Sequence, residues 1–326
     1  MFSAFQTNDV LPTQRAGLDF RSRRAGREGA SLVLVLCVTV TLLSLALGAA
    51  ALAANRARRA EDALARAALR DEARSALART AWALCADTNG VDHLGEDWAL
   101  ASAEAAQALE RGDDGVFVTV EDECARLGFP ACGEAALAAL VAEASGADAA
   151  LARGEAQAAF LWKDQRDATA TLAGATNAVL AAEEELLDVP VPDPAGFAKA
   201  LPFLTVLADD GRINANTAPR ETVVACILGA GGTPDGAEGV WTRLQMVRNR
   251  GGVFETTEQG EALKLLRGEG DSPAPAELQA LQLLRPHLRV DTDLFRLAAV
   301  ARRGPVRVRV ECVWDRAARR ILRWIE

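Results

Sequence analysis

Ala30-Ser-Leu-Val-Leu-Val-Leu-Cys37-Val-Thr-Val-Thr-Leu-Leu-Ser-Leu-Ala-Leu-Gly48-Ala-Ala-Ala-Leu-Ala-Ala54 contains no charged residue. A helix rises about 1.5 Å per residue, and about 20 apolar residues cross the hydrocarbon of a bilayer, so this run is long enough to span one. Arg21, Arg23, Arg24 and Arg27 precede it, and Gly29 sits at the junction. From Ala49 to Asp87 there is neither Pro nor Gly, so the helix is predicted to run on unbroken to Ala86. In its distal half Leu69, Ala73, Ala76, Thr80 and Leu84 recur at three- and four-residue spacing, one apolar stripe for packing against the remainder of the chain.

Three readings of this stretch compete. A secretory signal finds Ala-x-Ala near Ala49 to Ala53, but its apolar region is normally about 7–15 residues and the helical pattern does not stop there. An ordinary single-span anchor is the second. The third is a prepilin-type leader, a basic peptide cut after Gly, whose span first sits in the membrane and later packs in a filament. Arg27-Glu-Gly29-Ala30-Ser-Leu32 fits that pattern, and a cut after Gly26 would leave Arg27 and Glu28 at the head of the apolar run. Most pilin-like subunits carry Glu at the fifth position after the cut, where a carboxylate in apolar surroundings needs a cation such as the neighbour's terminal amine. Here that position is Leu34. Without the carboxylate the subunit cannot dock beneath another by this pairing, which favours a terminal place in an assembly.

The chain has 326 residues and a net charge of −9. A 1–29 leader holds five Arg and three acidic residues, so the chain beyond Gly29 is near −11. That acidic body argues against a nucleic-acid surface, which needs clustered Lys and Arg. Arg56, Arg58 and Arg59 come after the span, so basic residues flank both ends and charge alone orients it weakly. Cleavage after Gly places the leader in the cytoplasm and the head in the periplasm. The six cysteines lack metal-site spacing. Cys124 and Cys132 stand close enough to close a small loop in an oxidising compartment, and either that disulfide or two separate thiols fits.

Past Asp87-Thr-Asn-Gly90, which stops the helix, Asp92 to Trp98 reads as a polar loop anchored by Trp98, with His93 structural. Val116-Phe-Val-Thr-Val120 reads as a strand ended by acids. Two stretches then echo each other: Phe117 to Val120 with helices Glu134–Glu143 and Ala149–Trp162, and Phe203 to Val206 with helices Pro219–Leu228 and Ala237–Arg248. Each unit is similar to a SAM-like or helix-hairpin-helix module. Gly229-Ala-Gly-Gly232 lacks the flanking Lys and Arg of a DNA-gripping hairpin. Glu183-Glu-Glu185 reads as a solvated face before a proline linker. In Asp209-Asp-Gly-Arg-Ile-Asn214-Ala-Asn216-Thr217-Ala-Pro219, Gly211 suits a tight turn, Asn214 and Asn216 suit backbone bonding, and Thr217 suits an N-cap with Pro219 in the first turn. Val306, Val308 and Val310 alternate with Arg307, Arg309 and Glu311, and Ile321 to Ile325 returns as a hairpin strand.

Taken together, these stretches resemble the K subunit of type II secretion systems, the minor pseudopilin called general secretion pathway protein K. Gly211-Arg-Ile-Asn214-Ala-Asn216-Thr-Ala-Pro219 carries most of the resemblance; Trp162-Lys-Asp-Gln-Arg-Asp167, Glu184 to Val189 and Leu288 to Phe295 add to it. The expected fold is α+β, a long N-terminal pilin-like helix on an antiparallel sheet with two inserted helical units. The expected divisions are a leader 1–29, the helix 30–87, the first part of the head 88–121, helical units 122–202 and 203–285, and closing strands 286–326, with Leu288–Val290 among them. The resemblance implies cleavage at Gly29 and methylation of Ala30 by a prepilin peptidase, the I and J minor pseudopilins and an inner-membrane assembly platform as partners, and inner-membrane insertion before assembly. Some members bind calcium in the head; Asp113, Asp114, Glu121 and Asp122 offer oxygen ligands, but no site is matched.

No nucleophile with a base, phosphate-cradling loop or His/Cys metal cluster stands out, so a structural role outranks an enzyme. That role is capping the tip of a periplasmic pseudopilus and helping to start its assembly. The alternative is a single-pass periplasmic adaptor that stays in the inner membrane.

Overall fold

The computed structural model describes residues 22–87, 89–129, 131–163, 180, 182–208, 210–257 and 272–325, with side chains from Ala30 onward. The chain divides into a unit ending at Leu64 and a unit starting at Ala65. Helix α1 (Ser22–Ala86) begins in the first and ends in the second.

In the first unit the apolar side chains of α1 are exposed, Leu32, Leu34 and Leu45 each by more than half. Among the described residues, α1 from Ala30 is the one helix long and apolar enough to cross a membrane. Three hydroxyls of the charge-free run are satisfied within the helix. The hydroxyls of Thr39, Thr41 and Ser44 donate to carbonyls three or four residues back, leaving little that needs water.

The second unit adds α2 (Asp97–Arg111), β1 (Gly115–Asp122), β2 (Leu127–Gly128), α3 (Gly133–Ser145) and α4 (Ala149–Lys163). Next come α5 (Pro194–Ala198), β3 (Leu204–Thr205), β4 (Ile213–Asn214), α6 (Arg220–Gly229) and α7 (Pro234–Asn249). The chain closes with α8 (Pro275–Leu284), β5 (Leu288–Arg289), β6 (Leu294–Arg303), β7 (Val306–Asp315) and β8 (Arg320–Ile325). The main sheet has the order β1-β6-β7-β8 with every neighbour antiparallel. β1 and β6 are adjacent in the sheet although everything from Glu123 to Asp293 lies between them in sequence. The helical body is therefore an insertion into the sheet.

Period-two alternation builds one core. Phe295, Leu297, Ala299 and Ala301 of β6 and Val308, Val310 and Cys312 of β7 face the same way and meet Leu69, Ala73, Leu77, Ala81 and Leu84 of α1. Leu69, Ala73, Ala76 and Leu84 of the expected stripe are buried, Thr80 is half-buried, and Leu77 and Ala81 complete the buried face; each fully buried leucine contributes about 2 kcal/mol. A second core joins α3, α4, α6, α7 and α8 around Leu137, Leu140, Ile227 and Leu244, so the two echoed helical stretches share one interior. The contact of α3 with α6 is close: a Cβ on Gly229 would lie 2.5 Å from the Cα of Ala136.

Several expectations give way to tertiary context. Asp97 begins a helix rather than ending a loop, and Gly112 at φ 75° caps it. The strands opening the two echoed stretches join different sheets, since β3 pairs in parallel with β2. Leu288 and Arg289 lie outside the main sheet, parallel to β4, because the chain there turns inward to Thr292. Glu183 is buried rather than solvated, its carboxylate taken by Arg296 and Arg323. The Trp162–Asp167 stretch beyond Lys163, the leader before Ser22 and Asp209 lie outside the described residues.

Candidate functional site

The Asn214–Pro219 stretch lies where sheet and helical body meet. Asn214 is buried, and its Nδ2 donates to the carbonyl of Asp92 at 3.1 Å, to Asp122 Oδ2 at 2.9 Å and to Thr292 Oγ1 at 3.0 Å. Its Oδ1 accepts from the Asn216 backbone at 2.9 Å. Asn216 clamps Phe254 by two bonds, Nδ2 to the carbonyl at 3.0 Å and Oδ1 from the N–H at 2.8 Å. Both Asn bond backbone, Asn214 that of nearby Asn216 and of remote Asp92, and Asn216 that of remote Phe254. The guanidinium of Arg248 donates to the carbonyls of Ala218 and Ala215 and lies 5.4 Å from the centre of the Trp241 ring. Burial draws its pKa down to about 10.

Thr217 does not cap the next helix. Its hydroxyl donates to Asp122 Oδ2, and Pro219 occupies the N-cap position without a side-chain bond, one residue ahead of α6. Asp122 ends β1 and is fully enclosed, accepting from Thr217, Thr292, Asn214 and the N–H of Cys124. Burial raises its carboxyl to about 6 against the pull of those donors. Gly211, at φ 65°, makes the turn that brings the motif here. The four donors around this one carboxylate tie the end of β1 to the stretch that leads into α6 and to Thr292 ahead of β6.

Beside this hub, Asp92 is buried and held by Arg316 through two 2.7 Å bonds, while its Oδ2 also accepts from Thr292 N–H. Asp87, Asp92 and Glu96 approach one another closely enough to suggest a cation site. Their oxygens already have protein partners: both oxygens of Asp92 accept from Arg316, and Glu96 accepts from Asn89 and Trp98. The four carboxylates named from sequence do not converge either. Asp113 pairs with Arg111, Asp114 faces Arg302, Glu121 pairs with Arg126, and Asp122 is in the hub. His93 accepts from the Gly95 backbone, a structural contact.

Cys124 and Cys132 are both free in the structure. Cys124 is buried against the Arg289 guanidinium and Cys132 lies just before α3, and burial raises both thiols to about 12. At the N-terminal junction, Gly29 and Ala30 lie within α1, and Leu34 is 67% exposed.

A long apolar helix, an antiparallel sheet covered by its distal half and a helical body inserted between adjacent strands define a pilin-like α+β fold. Among solved structures the chain is similar to one in the crystal structure of the GspK–GspI–GspJ complex from the enterotoxigenic Escherichia coli type 2 secretion system. The likeness has a TM-score of 0.53 at 15% identity and covers 83% of this chain and 97% of that one. No family model and no curated protein matches the chain.

Proposed function

We propose that this chain is a minor pseudopilin of a type II secretion system that caps the tip of the periplasmic pseudopilus and helps to initiate its assembly. The observation that carries this reading is the likeness over nearly the whole length of a chain taken from a three-subunit pseudopilin complex. Leu34 supports the terminal place, because an apolar side chain cannot pair with the amine of a subunit stacked above. The helical body supports it too, since its added width disfavours stacking.

On this reading a prepilin peptidase cuts after Gly29 and methylates Ala30 in the inner membrane, with the head periplasmic. The apolar face of α1 then leaves the lipid for neighbouring helices, and the I and J pseudopilins and the assembly platform are the partners. Intact-mass analysis of the protein from cells with and without the peptidase tests this: N-methyl-Ala30 is expected at the terminus only with the enzyme, and Gly29→Val is expected to block the change. A chain that keeps its leader in peptidase-positive cells refutes the reading and favours a resident membrane adaptor.

A further inference from the structure

The distal half of α1 lies along the middle of the sheet and leaves a groove on each flank, and the two grooves differ in charge. One lies between α1, α2 and β1 and is lined by four carboxylates, Asp87, Glu96, Asp97 and Glu104, against one guanidinium, Arg111, and His93. The other, of about 360 Å³, lies between α1 and the β7–β8 hairpin; no carboxylate lines it, and its charged residues are Arg74 and Arg319. Its walls carry Trp82, Trp314 and Trp324. Trp82 is 73% exposed and Trp324 is 46% exposed, large apolar surfaces that a monomer rarely leaves in water without use.

Three further features converge on this flank. Arg74, Ala78 and Trp82 are spaced four apart along the wall of the groove, the Arg74 guanidinium lies 6.0 Å from the centre of the Trp324 ring, and Arg70 stands one turn before Arg74. Among the described residues β8 pairs only with β7, so its outer edge offers unpaired backbone N–H and C=O groups. At the mouth of the groove Arg319 holds φ 52°, a left-handed conformation that costs a non-glycine residue about 1 kcal/mol.

We propose that this groove docks an extended segment of a neighbouring pseudopilin in which carboxylates are interleaved with apolar side chains. The segment adds to the edge of β8, its apolar residues fill the space between Trp82 and Trp324, and its carboxylates meet Arg70, Arg74 and Arg319. Main-chain pairing supplies affinity in such strand additions, and alternate side chains supply specificity. The opposite charge of the two flanks gives the orientation, because the same segment is repelled by the acidic groove. This inference rests on the pseudopilin reading.

The test uses the full chain co-expressed with the I and J subunits of its own system and purified in detergent. Arg70→Glu with Arg74→Glu is expected to cut recovery of at least one partner about tenfold, the loss that results when opposed charges at a small interface become like charges. Arg70→Lys with Arg74→Lys is expected to recover as the parent does, and so is Asp97→Lys with Glu104→Lys on the opposite flank. A photo-crosslinking residue at Leu322 is expected to form an adduct with a partner stretch holding at least two Asp or Glu among apolar residues. Equal recovery of the charge-reversed chain overturns the docking inference and leaves the pseudopilin reading standing; so does an adduct with lipid, with a second copy of this chain or with a stretch lacking carboxylates. A parent chain that recovers neither partner overturns both.

Discussion

Thr217 donates its hydroxyl to Asp122 across 95 residues of sequence, tying the entrance of α6 to the last residue of β1. That bond closes a buried ring with Asn214 and Thr292, so the inserted helical body is fastened to the sheet at the point where the chain leaves it.

Burial of the Asp122 carboxyl, only partly offset by the donors of the ring, makes stability depend on pH. The folded Asp122 carboxyl binds its proton more tightly than the unfolded one, with a pKa raised from 3.8 to about 6. Its contribution is therefore greatest below pH 4 and is lost as pH rises to about 6, an effect on the order of 3 kcal/mol. Denaturant unfolding of the parent and of Asp122→Asn between pH 4 and pH 7 checks this. The parent-minus-variant difference is expected to fall across that window and stay level above it; a flat difference contradicts the assignment.

Arg316→Ala leaves Asp92 buried without its guanidinium. Breaking a buried pair by removing one partner costs about 3–5 kcal/mol, so the variant is expected to unfold at markedly lower denaturant at neutral pH. Arg316→Lys restores the charge but not the two-pronged contact and is expected to fall between. A loss below about 1 kcal/mol for the alanine variant, the range of an exposed pair, would show that the pair is not buried in solution.

Any side chain at Gly229 meets the backbone of α3, with a Cβ 2.5 Å from Ala136 Cα. Gly229→Ala is expected to cost about 1–3 kcal/mol by forcing α3 and α6 apart. Hydrogen exchange should quicken in α3 and α6 while β6 and β7 keep their protection, because the helical and sheet cores are separate. Uniform acceleration would mean that the two cores melt as one.

Arg319→Gly separates stability from docking. Glycine adopts φ 52° freely, so the variant is expected to gain up to about 1 kcal/mol. The same change removes a cation from the mouth of the groove and is expected to lower partner recovery. A more stable chain with undiminished recovery would place Arg319 outside the docking surface.

Much of the sheet and helix content is legible in the sequence because local period reports it. Val308 and Val310 alternate with Arg307 and Arg309, and the Leu69-to-Leu84 stripe repeats at helical spacing; both patterns lie where their periods put them. Helix α2 escapes such a reading because its alanines give little contrast between faces, and Trp98 looks like a loop anchor until Phe295 is seen 5.4 Å away. Glu183 misleads for a different reason: three consecutive glutamates look solvated unless arginines from remote strands approach them.

The amino-acid sequence by itself determined the unbroken helix through Ala86, the charge-free span with its apolar Leu34 and the alternating strands, since each depends only on near neighbours. Tertiary structure alone decided that Thr217 serves Asp122 rather than a helix end, that one interior serves both helical stretches, and that the flanks of α1 carry opposite charge. Burial and partnership at those places depend on groups far away along the chain, and no local pattern encodes which of them will arrive.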